Sequence, residues 1–170
     1  KMTGKALTLD NLETVLKMQL RDLYSAEEQL IEALPKMAEA ASSAELKSAF
    51  REHLVETRKQ KERLESAFRM LGEEPESESC EAMQGLIAEG DEIIGLDGDP
   101  DAKDAALIAA AQRVEHYEMA GYGCARTFAR QLGHDDVAAL LQQTLDEEGD
   151  ADKVLSGIAE TFVNLQATRK

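Results

Sequence analysis

LRDLYSAEEQLIEALPKMAEAASSAELKSAFREHLVETRKQ, residues 20–60, holds two amphipathic runs joined by one short turn. In the first run Leu20, Leu23, Leu30, Leu34, Met37 and Ala41 recur at steps of three and four, with one gap filled by Glu27. That spacing marks one face of a helix. Ser42-Ser43 supplies a turn and a cap, and a second run follows through Leu46, Phe50, His53, Glu56, Gln60 and Leu64. It is apolar at its ends and polar in its middle. So short a turn allows only an antiparallel helical hairpin.

Outward from this stretch, helix one is expected to start near Thr8 or Asp10 and run to about Ala41, adding Leu9, Leu12 and Leu16 to its stripe. Pro35 lies inside the pattern and predicts a kink rather than an end. Helix two continues through Ala67 to Leu71, with Gly72 as its stop and Pro75 beyond. Glu73–Ser79 reads as an acidic linker, and Glu81–Leu96 as a short amphipathic helix. The loop Asp97-Gly98-Asp99-Pro100 lacks the ligand spacing of a calcium loop and reads as a turn. Helix three spans about Asp101–Leu132, with Ile108, Ala111, Glu115, Glu118, Tyr122, Ala125, Phe128 and Leu132 inward. Gly133 ends it, and helix four starts near Asp135 with Val137, Leu141, Thr144, Glu147, Ala151, Leu155, Ile158, Phe162 and Leu165 inward. Two tight hairpins joined by a long connection predict an all-α, ferritin-like antiparallel four-helix bundle, with a short fifth helix in the crossover. The organisation expected is a disordered or vector-derived stretch at 1–7, one bundle domain at 8–166, and a tail at 167–170.

Composition agrees. Of 170 residues 43% are hydrophobic, yet only 4% are aromatic and none is Trp, so the apolar content is largely Ala and Leu beside abundant Glu. The net charge of −15 opposes binding to nucleic acid or anionic lipid. With no apolar run near membrane length and no signal pattern, a cytoplasmic protein is expected. Cys80 and Cys124 lack metal-type spacing and read as reduced thiols.

The interruptions in the apolar stripes carry the functional signal. Glu27 precedes the Ser42 turn by 15 residues and Glu56 follows it by 14; Glu118 precedes the Gly133 turn by 15 and Glu147 follows it by 14. At ~1.5 Å rise per residue, each pair faces its partner at one depth. A shift of 91 residues maps Glu27 onto Glu118 and Glu56 onto Glu147, so the second hairpin repeats the first. Four carboxylates in an apolar core cannot all stay ionised without counter-charge. Two divalent cations would match them, and oxygen-rich ligands suit iron(II) or manganese(II). Known bundle sites add a histidine three residues after a glutamate on two helices. Here those positions hold Lys59 and Asp150, whereas His53 stands one turn before Glu56. Glu27, Glu56, Glu118, Glu147, Asp150 and His53 are therefore the candidate ligands, Glu56 and Glu147 the candidate bridges, and Tyr24, Gln60 and Glu115 their neighbours. A salt-bridged or protonated polar layer is the alternative.

Three segments together are distinctive: Leu23-Tyr24-x-x-Glu27-x-Gln29 with Leu34-Pro35-x-Met37; His53-x-x-Glu56-Thr57-x-x-Gln60-x-x-Arg63-Leu64; and Glu115-His116-Tyr117-Glu118-x-Ala120-x-Tyr122. They resemble the YciF-type ferritin-like, rubrerythrin-like family of bacterial stress proteins, over Thr8 to about Ala159. Asp146-Glu147-Glu148-Gly149-Asp150 is also similar to a bacterioferritin run, with Asp150 where histidine would stand. The resemblance implies a rubrerythrin-like bundle, commonly a homodimer, linked to stress and carrying a di-iron centre.

Two functions are expected on these grounds. One is a dinuclear iron or manganese protein acting on O₂ or peroxide, an oxidase or peroxidase-like enzyme if it is one at all. The other is a non-enzymatic dimeric stress scaffold whose polar layer only fixes helix register. Iron storage in a shell or shielding of DNA is weaker, the latter because of the charge.

Overall fold

The computed structural model describes residues 8–169, and helix is the only regular structure among them. Helix α1 spans Leu12–Ala40, α2 Ala44–Met70, α3 Glu81–Gly95, α4 Pro100–Gln131 and α5 Asp135–Ile158. A π-helical turn, Ala159–Val163, and a short α6, Asn164–Ala167, complete the chain. The expectation for residues 1–7 lies outside the described residues.

Local chemistry sets most boundaries. Helix α1 is capped not by Thr8 or Asp10 but by Asn11, whose side chain accepts from the Thr14 amide at 2.9 Å. Thr8 instead donates to Asp10. The helix runs through Pro35 unbroken. Ser43 caps α2, and Asp99 followed by Pro100 starts α4. Gly72 and Gly133 stand at φ of 72° and 79°, the left-handed conformation that closes a helix cheaply only for glycine.

Helices α1, α2, α4 and α5 form the ferritin-like antiparallel bundle. Leu16, Leu20 and Leu23 of α1 share one core with Leu64 of α2, Tyr122 and Ala125 of α4, and Leu141 of α5. Leu30, Leu34 and Met37 share a second core with Phe50, Leu107, Ile108 and Leu155. The start of α1 therefore meets the end of α4, and the start of α2 meets the end of α5. Helix α3 lies in the crossover and packs against α1 and α4, burying Met83. At the α1–α2 turn, buried Asp104 of α4 accepts from the Ser42 and Ser43 amides at 2.8 and 2.7 Å. Gly121 permits close approach of α4 to α1, since a Cβ there would stand 2.8 Å from Leu23 Cδ2.

The end of the last helix departs from its expected face. Phe162 and Leu165 are exposed, while Ala159 and Val163 are buried. The π-helical turn accommodates extra residue length there and rotates the residues beyond it, so the periodicity of α5 no longer tracks the core.

Candidate metal centre

Between the two apolar cores lies a buried polar layer. It comprises Glu27 of α1, His53 of α2, Glu115 and Glu118 of α4, and Glu148 of α5. Their ligand atoms fall into two groups, Glu27–Glu118–Glu148 and His53–Glu115–Glu148, each with its atoms within 4.8 Å of one another. Glu148 belongs to both. Tyr122 donates to Glu27 Oε1 at 2.5 Å, and His53 Nε2 stands 2.9 Å from Glu115 Oε1.

The helices bring together some of the expected residues and not others. Glu27, Glu118, His53 and the neighbouring Glu115 all face the layer. Glu56 lies at its edge, 42% exposed, with Oε2 3.5 Å from His53 Nδ1. Glu147 does not face the layer: Arg63 holds both its oxygens, at 2.7 and 3.1 Å. Glu148 takes the inward place at 0% exposure. Asp150, expected among the ligands, points away from the layer, 75% exposed and paired with Lys153 at 3.0 Å. Tyr24 donates to Glu65, away from the layer, with Lys61 5.1 Å above its ring; the tyrosine on Glu27 is Tyr122. Gln60 is fully buried, and its amide oxygen and nitrogen have no hydrogen-bond partner.

The misplacement has a simple cause. From Thr144 a core face can continue at the third or the fourth residue, and Glu147 and Glu148 are both acids. Successive residues differ by ~100° around the axis, so the choice decides inside or outside. The same holds on α2, where Thr57 is buried in place of Glu56. The 91-residue shift thus pairs Thr57 with Glu148. Thr57 donates to the His53 carbonyl, so α2 contributes histidine where the other three helices contribute glutamates. No signal in the sequence separates Glu148 from Glu147, because Arg63, which pairs with Glu147, lies 84 residues away.

Electrostatics follow from burial. Glu27 is pushed up to about 8 by loss of water, against the opposing bond from Tyr122. Burial raises Glu118 well above the carboxylate range, reinforced by the charges of Glu27 and Glu115. Glu148 is raised likewise, by burial and then by Glu118 and Glu115. Burial also works to raise Glu115, but the adjacent Glu148 carboxyl and the charge of His53 outweigh it and hold it low. His53 is raised well above its usual range, because Glu115 overcomes the opposing effect of burial. Without metal, the layer at neutral pH is thus one His53–Glu115 ion pair beside carboxyls that retain protons.

Such a layer fits a cation. Glu27 Oε2, Glu115 Oε2 and both oxygens of Glu118 and Glu148 are buried without a hydrogen-bond partner. Unpaired buried oxygens are costly, and a metal ion would satisfy several together. Four carboxylates and one imidazole form a hard donor set, suited to iron(II) or manganese(II).

Residues 11–168 match the family model described as "Domain of unknown function (DUF892)". The chain is 44% identical to Protein YciF of Escherichia coli (strain K12) over 172 residues, covering 96% of this chain and 99% of that one. The crystal structure of that E. coli stress protein matches with a TM-score of 0.88 over 91% of this chain and 98% of the other. YcfI of Rhodopseudomonas palustris matches at 42% identity and a TM-score of 0.86, over 91% and 98%. A protein of Xanthomonas campestris pv. campestris, at 20% identity and TM-score 0.74 over 94% and 98%, shares the fold.

Proposed function

The chain belongs to the DUF892 family and is a homologue of the stress protein YciF, and on that premise we propose that it binds two iron or manganese ions in its core during stress protection. The observation that carries this reading is Glu148, one buried carboxylate common to two groups of potential ligands. Glu27 and Glu118 would hold one ion, His53 and Glu115 the other, and Glu148 both. Glu56, beside His53 at the edge, is placed to enter the second group.

Bound iron or manganese would supply redox chemistry toward O₂ or peroxide. The chain's own residues exclude water through the two flanking apolar cores, and hold protons on Glu118 and Glu148 until a cation replaces them. Tyr122 fixes the orientation of Glu27. By its likeness to that family, the protein would also act as a homodimer in the cytoplasm. No described helix is long and apolar enough to cross a membrane.

The test is elemental analysis of full chain purified without chelator, followed by melting curves with Fe(II) or Mn(II). Roughly two metals per chain and a concentration-dependent rise in Tm are expected. Less than ~0.3 metal per chain, with no rise, would instead favour the scaffold reading, in which the His53–Glu115 pair fixes helix register.

A further inference from the structure

Along the α2–α5 seam, on one side of the polar layer, lies a cavity of about 110 Å³. Buried His53 and Glu115, two residues of the layer, form its inner end. Its rim is exposed and carries Glu52, Asp150 and Val154. Half-buried Glu56 joins the two, lining the cavity with Oε2 3.5 Å from His53 Nδ1. Phe50 and Leu155 make apolar walls, and among the described residues that line the cavity none is Lys or Arg.

The same seam differs on the other side of the layer, toward the core of Leu64 and Leu141. There Arg63 Nη1 donates to Thr144 and to Glu147, both at 2.7 Å. A guanidinium in that place repels a divalent cation. The cavity side attracts one, because a cleft lined by one sign of charge between low-dielectric walls concentrates counter-ions. At ~30 Å³ per water, the cavity has room for an ion with two or three of its waters. Its apolar walls offer no ligand that would hold the ion short of the layer. At the rim, Asp150 and Lys153 are 75% and 77% exposed, and so exposed a pair is too weak to keep Asp150 from a dication.

We propose that this cavity is the port by which divalent cations reach the core: Glu52 and Asp150 draw the ion to the rim, and Glu56 passes it to His53 and Glu115. The inference rests on the metal reading and adds to it the side from which the layer fills. It also gives Asp150 a use away from the layer, as a guide and not as a ligand.

The experiment mixes Mn(II) with chelator-treated full chain and follows uptake in time by the fall of the free ion's paramagnetic resonance signal. The amount bound at equilibrium is measured on the same sample. Removing both rim charges, Glu52→Gln with Asp150→Asn, should slow uptake about tenfold at low salt and leave the amount bound unchanged. Glu89→Gln with Glu92→Gln removes as much charge from exposed positions on α3 and should leave the rate unchanged. Val154 is 52% exposed, so either charge is tolerated there. Val154→Lys should slow uptake, whereas Val154→Glu should not. Raising the salt should bring the rim variant and the unaltered chain together. Full loading at the unaltered rate in both the rim double variant and Val154→Lys would overturn the port and leave the metal reading standing. Equal slowing by the α3 double variant would do the same, since net charge alone would then set the rate. No Mn(II) bound by the unaltered chain at equilibrium would overturn both readings.

Discussion

Glu148 is common to both potential ligand groups, so it is where one substitution should disable both. Glu148→Gln keeps size and polarity but removes a bridging anion. In metal assays it should reduce loading from roughly two ions per chain to well below one. Glu147→Gln touches only the Arg63 pair and should leave loading unchanged, at a cost of ~0.2–1 kcal/mol. The reverse result would mean that the face expected from spacing, not the one in the structure, holds metal. This distinction was not legible in the sequence, because the step from Thr144 fits either glutamate. Depth was legible, since rise per residue is fixed; azimuth was not, since an ion pair outside and a ligand inside look alike as letters. The same residues set a pH response. Glu27 titrates near 4.5 when unfolded and about 8 when folded, so the folded state favours its proton. That contribution is fully present below about 4.5 and is lost as pH rises through 8. Glu118, Glu148 and His53 are raised too and act in the same direction. Chelator-treated protein should therefore melt at lower temperature at pH 8.5 than at pH 6, by roughly a few kcal/mol in stability. With Mn(II) present the gain from metal should grow over that interval, since metal displaces those protons. A flat profile in the chelated protein would contradict the buried-acid description.

Among elements, hairpins and the crossover were readable because short turns and glycine stops leave few topologies. Ser43 and Gly133 behave as their local chemistry requires. What could not be read were contacts between distant segments. Asp104 is one, an acid on α4 that reaches the α1–α2 turn 62 residues away in sequence. It serves as a remote cap, with Ser42 and Ser43 donating to its two oxygens. Asp104→Ala should leave those amides short of partners at a buried position and cost about 1–3 kcal/mol. For a chain of this size that is a fall in Tm of several degrees. Asp104→Asn keeps one acceptor and should recover part of the loss. Equal melting temperatures for all three proteins would show that the turn is held by packing alone. The π-helical turn after Ile158 was equally beyond reach, since it changes the period within a helix.

For the whole molecule, two sources of cation affinity must be separated. The outer surface contributes most of the −15 charge and attracts any divalent ion, weakly and without regard to identity. The core layer offers buried carboxylates with one imidazole, between two apolar clusters. Salt screens the first and hardly touches the second, because the Debye length of ~8 Å at physiological salt governs exposed charges. Mg(II) releases its waters reluctantly and does not favour imidazole, so it should condense on the surface without occupying the core. Mn(II) should do both. At moderate salt, Mn(II) at about 100 times its Kd should stabilise by ~2.7 kcal/mol, whereas Mg(II) should add little. Raising the salt should erase the Mg(II) effect and preserve most of the Mn(II) effect. Melting curves with each ion across a salt series make the comparison, with Glu148→Gln as the control that keeps the surface charge. If Mg(II) and Mn(II) shift Tm equally and both effects vanish with salt, the cations sit on the surface and the core layer is a structural device.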